Sequence, residues 1–213
     1  MINIMCYGDS NTWGHNPADC TRFDENTRWT KCLSRMLGER FNVTEEGLCG
    51  RTTVFDDSYS NGRNGLKFFV PCMQSHQPLD LIIIMLGTND MQRQYNVYPK
   101  DIARGVREIV KCAQNSVYNE LYPPAKILII SPVHIEKSIM AGYFDEMFGE
   151  ESVEKSVRLA AALENTATEL NTYFLDASLY AKASPLDGIH MDAESHKSLA
   201  EAVCVKVKDI FGI

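Results

Sequence analysis

The chain has 213 residues, of which 45% are hydrophobic and 23% are charged, proportions typical of a soluble globular protein. Its 21 basic and 28 acidic residues leave a formal net charge of −7, which argues against a general binder of nucleic acid or anionic membranes. A chain of this length is expected to form one domain over residues 1–213 and to bury a sizeable core.

The number and spacing of the cysteines and the N-terminal sequence indicate the cellular compartment in which the protein is expected. Seven cysteines, an odd number without Cys-x-x-Cys spacing, predict a reduced, cytoplasmic protein in which they are small core residues. The first residues have neither the basic cluster nor the long apolar segment of a signal peptide. The longest apolar run, Leu81 to Leu86, is too short to span a bilayer, so no membrane partner is expected.

Short apolar runs alternate with helical patterns along the chain. The predicted elements are, in order, a strand at 2–7, a helix at 28–39, strands at 41–44 and 79–86, a helix from Pro99, a strand at 126–133, a helix at 151–170, a strand at 172–175 and a helix at 193–210. Asp192 is a candidate N-cap for the last helix. This alternation predicts a three-layer α/β/α fold around a five-stranded parallel sheet.

Two stretches, 51–78 and 134–150, have no clear helical or strand pattern. Long loops in a compact domain are often functional. The second stretch contains Tyr143, Phe144 and Phe148, so it is suited either to form a pocket wall or to pack as a helix.

Polar, glycine-containing clusters follow the predicted strands or precede the last helix. They are Gly8-Asp9-Ser10-Asn11, residues 47–52 (GLCGRT), Gly87-Thr88-Asn89-Asp90 and Asp187-Gly188-Ile189-His190. In open parallel sheets, ligands bind outside the carboxyl ends of the strands. We therefore expect these four clusters to meet at one edge of the sheet.

Three of these side chains can form a nucleophilic unit. A serine hydroxyl such as that of Ser10 attacks a carbonyl only when a base removes its proton. His190 can act as that base, and Asp187, three residues earlier, can fix the orientation of its imidazole.

Acyl transfer also needs donors for the negative charge that develops on the carbonyl oxygen. The candidates are the backbone N–H groups of Ser10 and Gly50 and the side-chain amide of Asn89. A glycine at position 50 lets the backbone approach a substrate closely.

Four blocks of the sequence resemble the signature of the SGNH (GDSL-type) hydrolases. They are Gly8-Asp9-Ser10, Gly50, Gly87-x-Asn89-Asp90 and Asp187-x-x-His190, and together they span nearly the whole chain. The longer strings at 8–14 (GDSNTWG) and 47–53 (GLCGRTT) resemble the arylesterase/acyltransferase branch of that family.

This resemblance implies a flavodoxin-like fold and an esterase without a metal or organic cofactor. It implies Ser10 as nucleophile, His190 as base and Asp187 as the residue that orients it, with Gly50 and Asn89 in the oxyanion hole. The Gly-x-Ser-x-Gly elbow of α/β-hydrolases is absent, because Thr12 stands where its last glycine belongs.

Other residues near the blocks allow more than one interpretation. Asp9, Trp13 and His15 are candidates for substrate binding, although Asp9 can instead hydrogen-bond its own loop. Arg51 can form a structural ion pair or contact an anionic substrate. A metal site that includes His196 is conceivable, but its spacing from His190 matches no usual ligand pattern.

The sequence therefore predicts a serine-dependent carboxylic-ester hydrolase that works through an acyl-enzyme and is open to acyl transfer. The resemblance to the arylesterase/acyltransferase branch implies short acyl substrates such as O-acetyl esters. One alternative is a thioesterase or lysophospholipase with the same catalytic residues. Another is a catalytically silent small-molecule-binding module; no Gly-rich phosphate loop supports nucleotide binding. The expected partner is a small-molecule ester, and self-association is left open.

Overall fold

A computed structural model describes residues 1–213. Its strands are β1 (Ile2–Gly8), β2 (Phe41–Gly47), β3 (Leu81–Met85), β4 (Lys126–Ser131) and β5 (Tyr173–Asp176). Its helices are α1 (Ser10–Trp13), α2 (Trp29–Leu37), α3 (Gly65–Ser75), α4 (Pro99–Gln114), α5 (Asp145–Phe148), α6 (Glu150–Glu169) and α7 (Ala193–Phe211). None of these helices is both long enough and apolar enough to cross a membrane.

The five strands form one parallel sheet in the order β2-β1-β3-β4-β5, which confirms the predicted architecture. This is the flavodoxin-like order. Helices α2 and α7 cover one face of the sheet, and α3, α4 and α6 cover the other. Every residue of β3 is buried, as its continuous apolar run predicts for a strand covered on both faces.

Strand β2 is three residues longer than predicted. The apolar pattern ends before two glutamates, but both continue the pairing with β1. The carboxylate of Glu45 accepts hydrogen bonds from the Arg28 guanidinium at 2.9 and 3.0 Å, and Glu46 pairs with His76 at 2.6 Å. The charged side chains are thus neutralised by other elements, which the local pattern could not indicate.

Helix α3 was not predicted, because its stretch contains Gly62, Gly65 and Pro71. Asn64 caps this helix by accepting a hydrogen bond from the Lys67 backbone N–H at 3.2 Å. The cap predicted for the last helix is confirmed, since Asp192 accepts from the Ser195 backbone N–H at 2.8 Å.

The end of β2 lies against the turn that carries Ser10. A Cβ atom on Gly47 would lie 2.1 Å from the Trp13 backbone nitrogen and 2.5 Å from its Cα. Position 47 therefore requires a residue without a side chain if the first polar cluster is to keep its place beside the sheet.

We predict that Gly47→Ala lowers the free energy of unfolding by about 1–3 kcal/mol, because backbone atoms must move to admit the methyl group. Urea unfolding followed by circular dichroism measures this change. Gly142→Ala is the matched control, since the nearest atom to its new Cβ would be at 3.8 Å. Equal stability of the two variants would contradict this interpretation.

Candidate active site

The sheet edge brings together three side chains that are distant in sequence. Ser10 is the first residue of α1, immediately after β1, and its Oγ lies 2.9 Å from His190 Nε2. The other ring nitrogen of His190, Nδ1, lies 2.7 Å from Asp187 Oδ2. A continuous hydrogen-bonded chain therefore runs from a carboxylate through an imidazole to a hydroxyl.

The loop before α7 is folded around the carboxylate of Asp187. Asp187 Oδ1 accepts from the backbone N–H groups of Ile189 at 3.0 Å and His190 at 2.9 Å. Burial works to raise the pKa of Asp187, but the hydrogen bonds and charge of His190 outweigh it and hold the pKa below its usual value. Asp187 therefore stays ionised beside the imidazole, where a negative charge stabilises a protonated ring.

Asn11 joins the Ser10 turn to the His190 loop. Its Nδ2 donates to the Ile189 carbonyl at 3.2 Å, and its Oδ1 accepts from the Met191 N–H at 2.9 Å. These contacts hold the backbone on both sides of His190. The sequence alone indicates no role for Asn11, because its partners are about 180 residues away along the chain.

A cavity of about 260 Å³ opens above Ser10 and His190. Gly50 lines it in a left-handed conformation, with a φ of +77°, which favours glycine. Asn89 also lines it, and its Nδ2 donates to the Arg51 carbonyl at 3.1 Å. An amide nitrogen carries two N–H groups, so one remains for a substrate.

The two stretches for which the sequence predicted no helix or strand form an apolar wall and a polar wall of the cavity. Residues 134–150 place Phe144, Met147 and Phe148 on the cavity. Residues 51–78 place Asp57, Ser60 and Arg63 on it. The cavity is therefore apolar on the side formed by one segment and polar on the side formed by the other.

Of the three candidate substrate-binding residues, His15 lines the cavity, whereas Asp9 and Trp13 do not. The His15 ring stacks on the His190 ring with 4.0 Å between centroids. Burial and the neighbouring His190 lower the pKa of His15 to about 4, so it is uncharged near neutral pH. Its buried Nε2 has no hydrogen-bond partner within the protein.

Comparisons with known proteins identify the family of this chain. Residues 6–197 match the profile of the GDSL-like lipase/acylhydrolase family. The chain belongs to this family. As a member of this acylhydrolase family, with esterases among its structural neighbours, it is an esterase.

Several solved protein structures resemble this esterase over nearly its full length. A carbohydrate acetylesterase from Sinorhizobium meliloti is 33% identical, with a TM-score of 0.94, and the alignment covers 99% of this chain and 100% of that one. The aryl esterase of M. smegmatis is 34% identical, with a TM-score of 0.93 and coverage of 98% and 99%. No curated protein matches the sequence significantly.

Two carboxyl groups are buried beneath the cavity of the esterase. Asp9 caps the Ser10 turn by accepting from the Asn11 N–H at 3.0 Å, and Asp90 accepts from the Thr53 N–H at 3.0 Å. Burial raises the pKa of Asp9 to about 6 and that of Asp90 to about 7, against the opposing effect of these hydrogen bonds. Both carboxyls hold loops of the site in place.

The ligand atoms of His15, Asp187 and His190 lie within 4.8 Å of one another, so a metal ion could in principle contact them. The cluster considered from the sequence does not form. His196 is fully buried, and its Nδ1 accepts from the Trp29 backbone N–H at 3.3 Å, whereas Asp192 caps α7.

We predict that Asn11→Ala lowers the free energy of unfolding by roughly 1–3 kcal/mol, because it leaves a buried carbonyl and a buried N–H unpaired. It should also lower kcat, since the loop that carries His190 loses its attachment beside Ser10. Urea unfolding and steady-state kinetics test both effects. Asn42→Ala, which removes an exposed amide contact, is the control and should match the wild type in both.

We predict that the contribution of Asp90 to the free energy of unfolding falls as the pH rises from about 4 to about 7, whereas His15 and His196, whose pKa values are lowered by burial, contribute in the opposite direction. The folded chain retains a proton on Asp90, whereas the unfolded chain releases it near pH 4. Stability from this group is thus fully present below the unfolded pKa and is lost as the pH passes the folded pKa. Urea unfolding of the wild type and of Asp90→Asn at several pH values isolates this contribution, and the wild type should lose stability relative to the variant as the pH rises. A difference in stability that does not change with pH would refute this role of Asp90.

Proposed function

We propose that this esterase cleaves short acyl esters by a serine mechanism in which Ser10 is the nucleophile, His190 the general base and Asp187 the residue that orients and stabilises His190. The observation that carries the proposal is the hydrogen-bonded chain of Asp187, His190 and Ser10 at the floor of the cavity. Its two distances, 2.7 and 2.9 Å, lie within the range needed for proton transfer.

The proposed reaction has two halves. His190 Nε2 accepts the Ser10 proton as Oγ attacks the ester carbonyl, and the same nitrogen then donates the proton to the departing alcohol. Water enters the acyl-enzyme, gives a proton to His190 and attacks the acyl carbon, which releases the acid and restores Ser10. A competing alcohol in place of water would give acyl transfer.

The negative oxygen of each tetrahedral intermediate would accept hydrogen bonds from the Ser10 N–H, the Gly50 N–H and Asn89. Ser10 opens α1, so its N–H has no acceptor within the helix. Asn89 is held by its bond to the Arg51 carbonyl, which leaves its second N–H pre-oriented. Preorganised donors of this kind each contribute about 2.7–4 kcal/mol to acyl transfer.

The shape of the cavity supports a short acyl group. Its volume of about 260 Å³ is below the usual range of about 300–1,000 Å³ for sites that enclose a drug-sized molecule. The apolar wall of Phe144, Met147 and Phe148 suits an acyl methyl, and the polar wall of Asp57, Ser60 and Arg63 suits a hydroxyl-rich alcohol. An O-acetylated sugar combines the two, as would a substrate of the carbohydrate acetylesterase neighbour.

His15 belongs to the same proposal as a substrate-binding residue. His15 lines the cavity and its Nε2 has no hydrogen-bond partner, so this nitrogen would hydrogen-bond an oxygen of the alcohol portion after a small movement of the ring. A thioesterase or lysophospholipase would use the same catalytic residues but needs room for a long acyl chain. A silent binding module would have no use for the aligned hydroxyl, imidazole and carboxylate.

We predict that kcat/KM for aryl esters is highest with acetate and falls progressively toward octanoate, because longer chains exceed the cavity. A preference for octanoate would favour the lysophospholipase or thioesterase alternative. Ser10→Ala should lower kcat by a factor on the order of 10⁶. Ser131→Ala, which removes a buried hydroxyl elsewhere at the sheet edge, is the matched control. Wild-type rates in Ser10→Ala would contradict Ser10 as the nucleophile, and a wild type that hydrolyses none of these esters would support the silent module.

A further inference from the structure

A second cluster of chemically versatile side chains lies outside the catalytic cavity. Glu46 is the penultimate residue of β2, Cys72 is in the last turn of α3, and His76 is the C-cap residue of that helix. Cys72 and His76 are four residues apart, which places them on one face of α3. None of the three residues lines the cavity above Ser10.

Their donor atoms are close enough to share one ion. The Cys72 sulfur, a His76 ring nitrogen and a Glu46 carboxylate oxygen all lie within 4.8 Å of one another. Tetrahedral zinc, with bonds of about 2.0–2.3 Å, separates its ligand atoms by roughly 3.4–3.6 Å. His76 Nε2 and Glu46 Oε1 are 2.6 Å apart, so these two atoms would need to move only slightly farther apart to reach the spacing of zinc ligands.

The surroundings leave room for this adjustment and for a further ligand. The side chains of Glu46 and His76 are 29% and 31% exposed, so neither is locked in a packed core. Glu46 and Cys72 border an open cavity of about 410 Å³, from which an ion and a water molecule can enter. A site with three protein ligands and one open position is the arrangement found in many zinc proteins.

The combination of donors selects the ion. Thiolate, imidazole and carboxylate together suit zinc, whereas magnesium and calcium prefer oxygen ligands only. The thiolate and the carboxylate balance the two positive charges of the ion. Arg51 borders the same open cavity as Glu46 and Cys72, and its guanidinium lies 4.0 Å from the centre of the Tyr7 ring. Its positive charge repels a zinc ion and therefore limits the affinity.

We infer that Glu46, Cys72 and His76 form a zinc-binding site that joins the end of β2 to the end of α3. On binding, the Cys72 thiol releases its proton to solvent, and bonds from zinc to His76 and Glu46 replace their mutual hydrogen bond. The fourth position is occupied by water. Because the unfolded chain does not hold the three ligands together, zinc would stabilise the folded state.

Zinc titration of the metal-free protein against a chromogenic chelator of micromolar affinity tests this site. We expect one high-affinity zinc ion per chain, and a raised unfolding temperature when zinc is added. Cys72→Ser, His76→Gln and Glu46→Gln should each weaken binding at least 10-fold. Cobalt provides a second measurement, since a thiolate-to-cobalt charge-transfer band should appear in the wild type and disappear in Cys72→Ser.

Two controls locate the ion. Cys112→Ser removes another partly buried cysteine and should bind zinc as the wild type does. His15→Gln disrupts the other group of side chains able to hold a metal and should also leave this binding intact. Loss of binding in His15→Gln but not in Cys72→Ser would overturn the assignment, as would wild-type protein that does not compete with the chelator. Zinc binding as tight as that of the wild type in all three ligand variants would likewise overturn it.

Discussion

The carboxamide of Asn11 makes the contact on which the active site depends. Its nitrogen and oxygen bind the backbone on either side of His190, and Asn11 itself directly follows Ser10. Two segments separated by about 180 residues are thereby joined one residue away from the atoms that are proposed to react. Both partners are buried, so water cannot replace the lost hydrogen bonds if the contact is broken.

Arg51 supplies the corresponding support at the other side of the site. Its guanidinium donates to the carbonyl of Gly8, at 2.8 Å, and to that of Glu46, and it lies over the Tyr7 ring. The ends of β1 and β2 are thus held together by a buried cation. The ion pair expected from the sequence does not form, because backbone carbonyls and an aromatic face surround the guanidinium instead of a carboxylate.

The residues proposed to carry out the reaction and the residues proposed to select the substrate lie on different parts of the fold. The proposed nucleophile and oxyanion donors follow the ends of β1, β2 and β3, which lie in a sheet with helices packed on both faces. The cavity walls come from the connection before α3, which supplies Asp57, Ser60 and Arg63, and from the segment of Phe144 and the short helix α5. Loops tolerate change better than the sheet does, so the walls can vary without disturbing the chain from Asp187 to Ser10.

The buried carboxyls and the zinc-binding cluster illustrate why some features escape sequence analysis. Asp9 and Asp90 belong to the signature blocks, but the sequence does not reveal their raised pKa values, which come from burial by elements that are distant in the chain. Glu46 is 26 residues before Cys72, and only the packing of α3 against the end of β2 places their side chains together. Neither property depends on local spacing.

The amino-acid sequence alone determined the parallel α/β architecture, because apolar runs such as 81–85 and helical spacing are local patterns that reflect burial directly. It also identified the four polar clusters, since parallel strands end at the same edge. Tertiary structure decided what local patterns do not contain: helix α3 despite Pro71, the extra length of β2, the contacts of Asn11 and the walls of the cavity. Each of these depends on partners that are remote in the chain and become neighbours only when the sheet and its helices pack together.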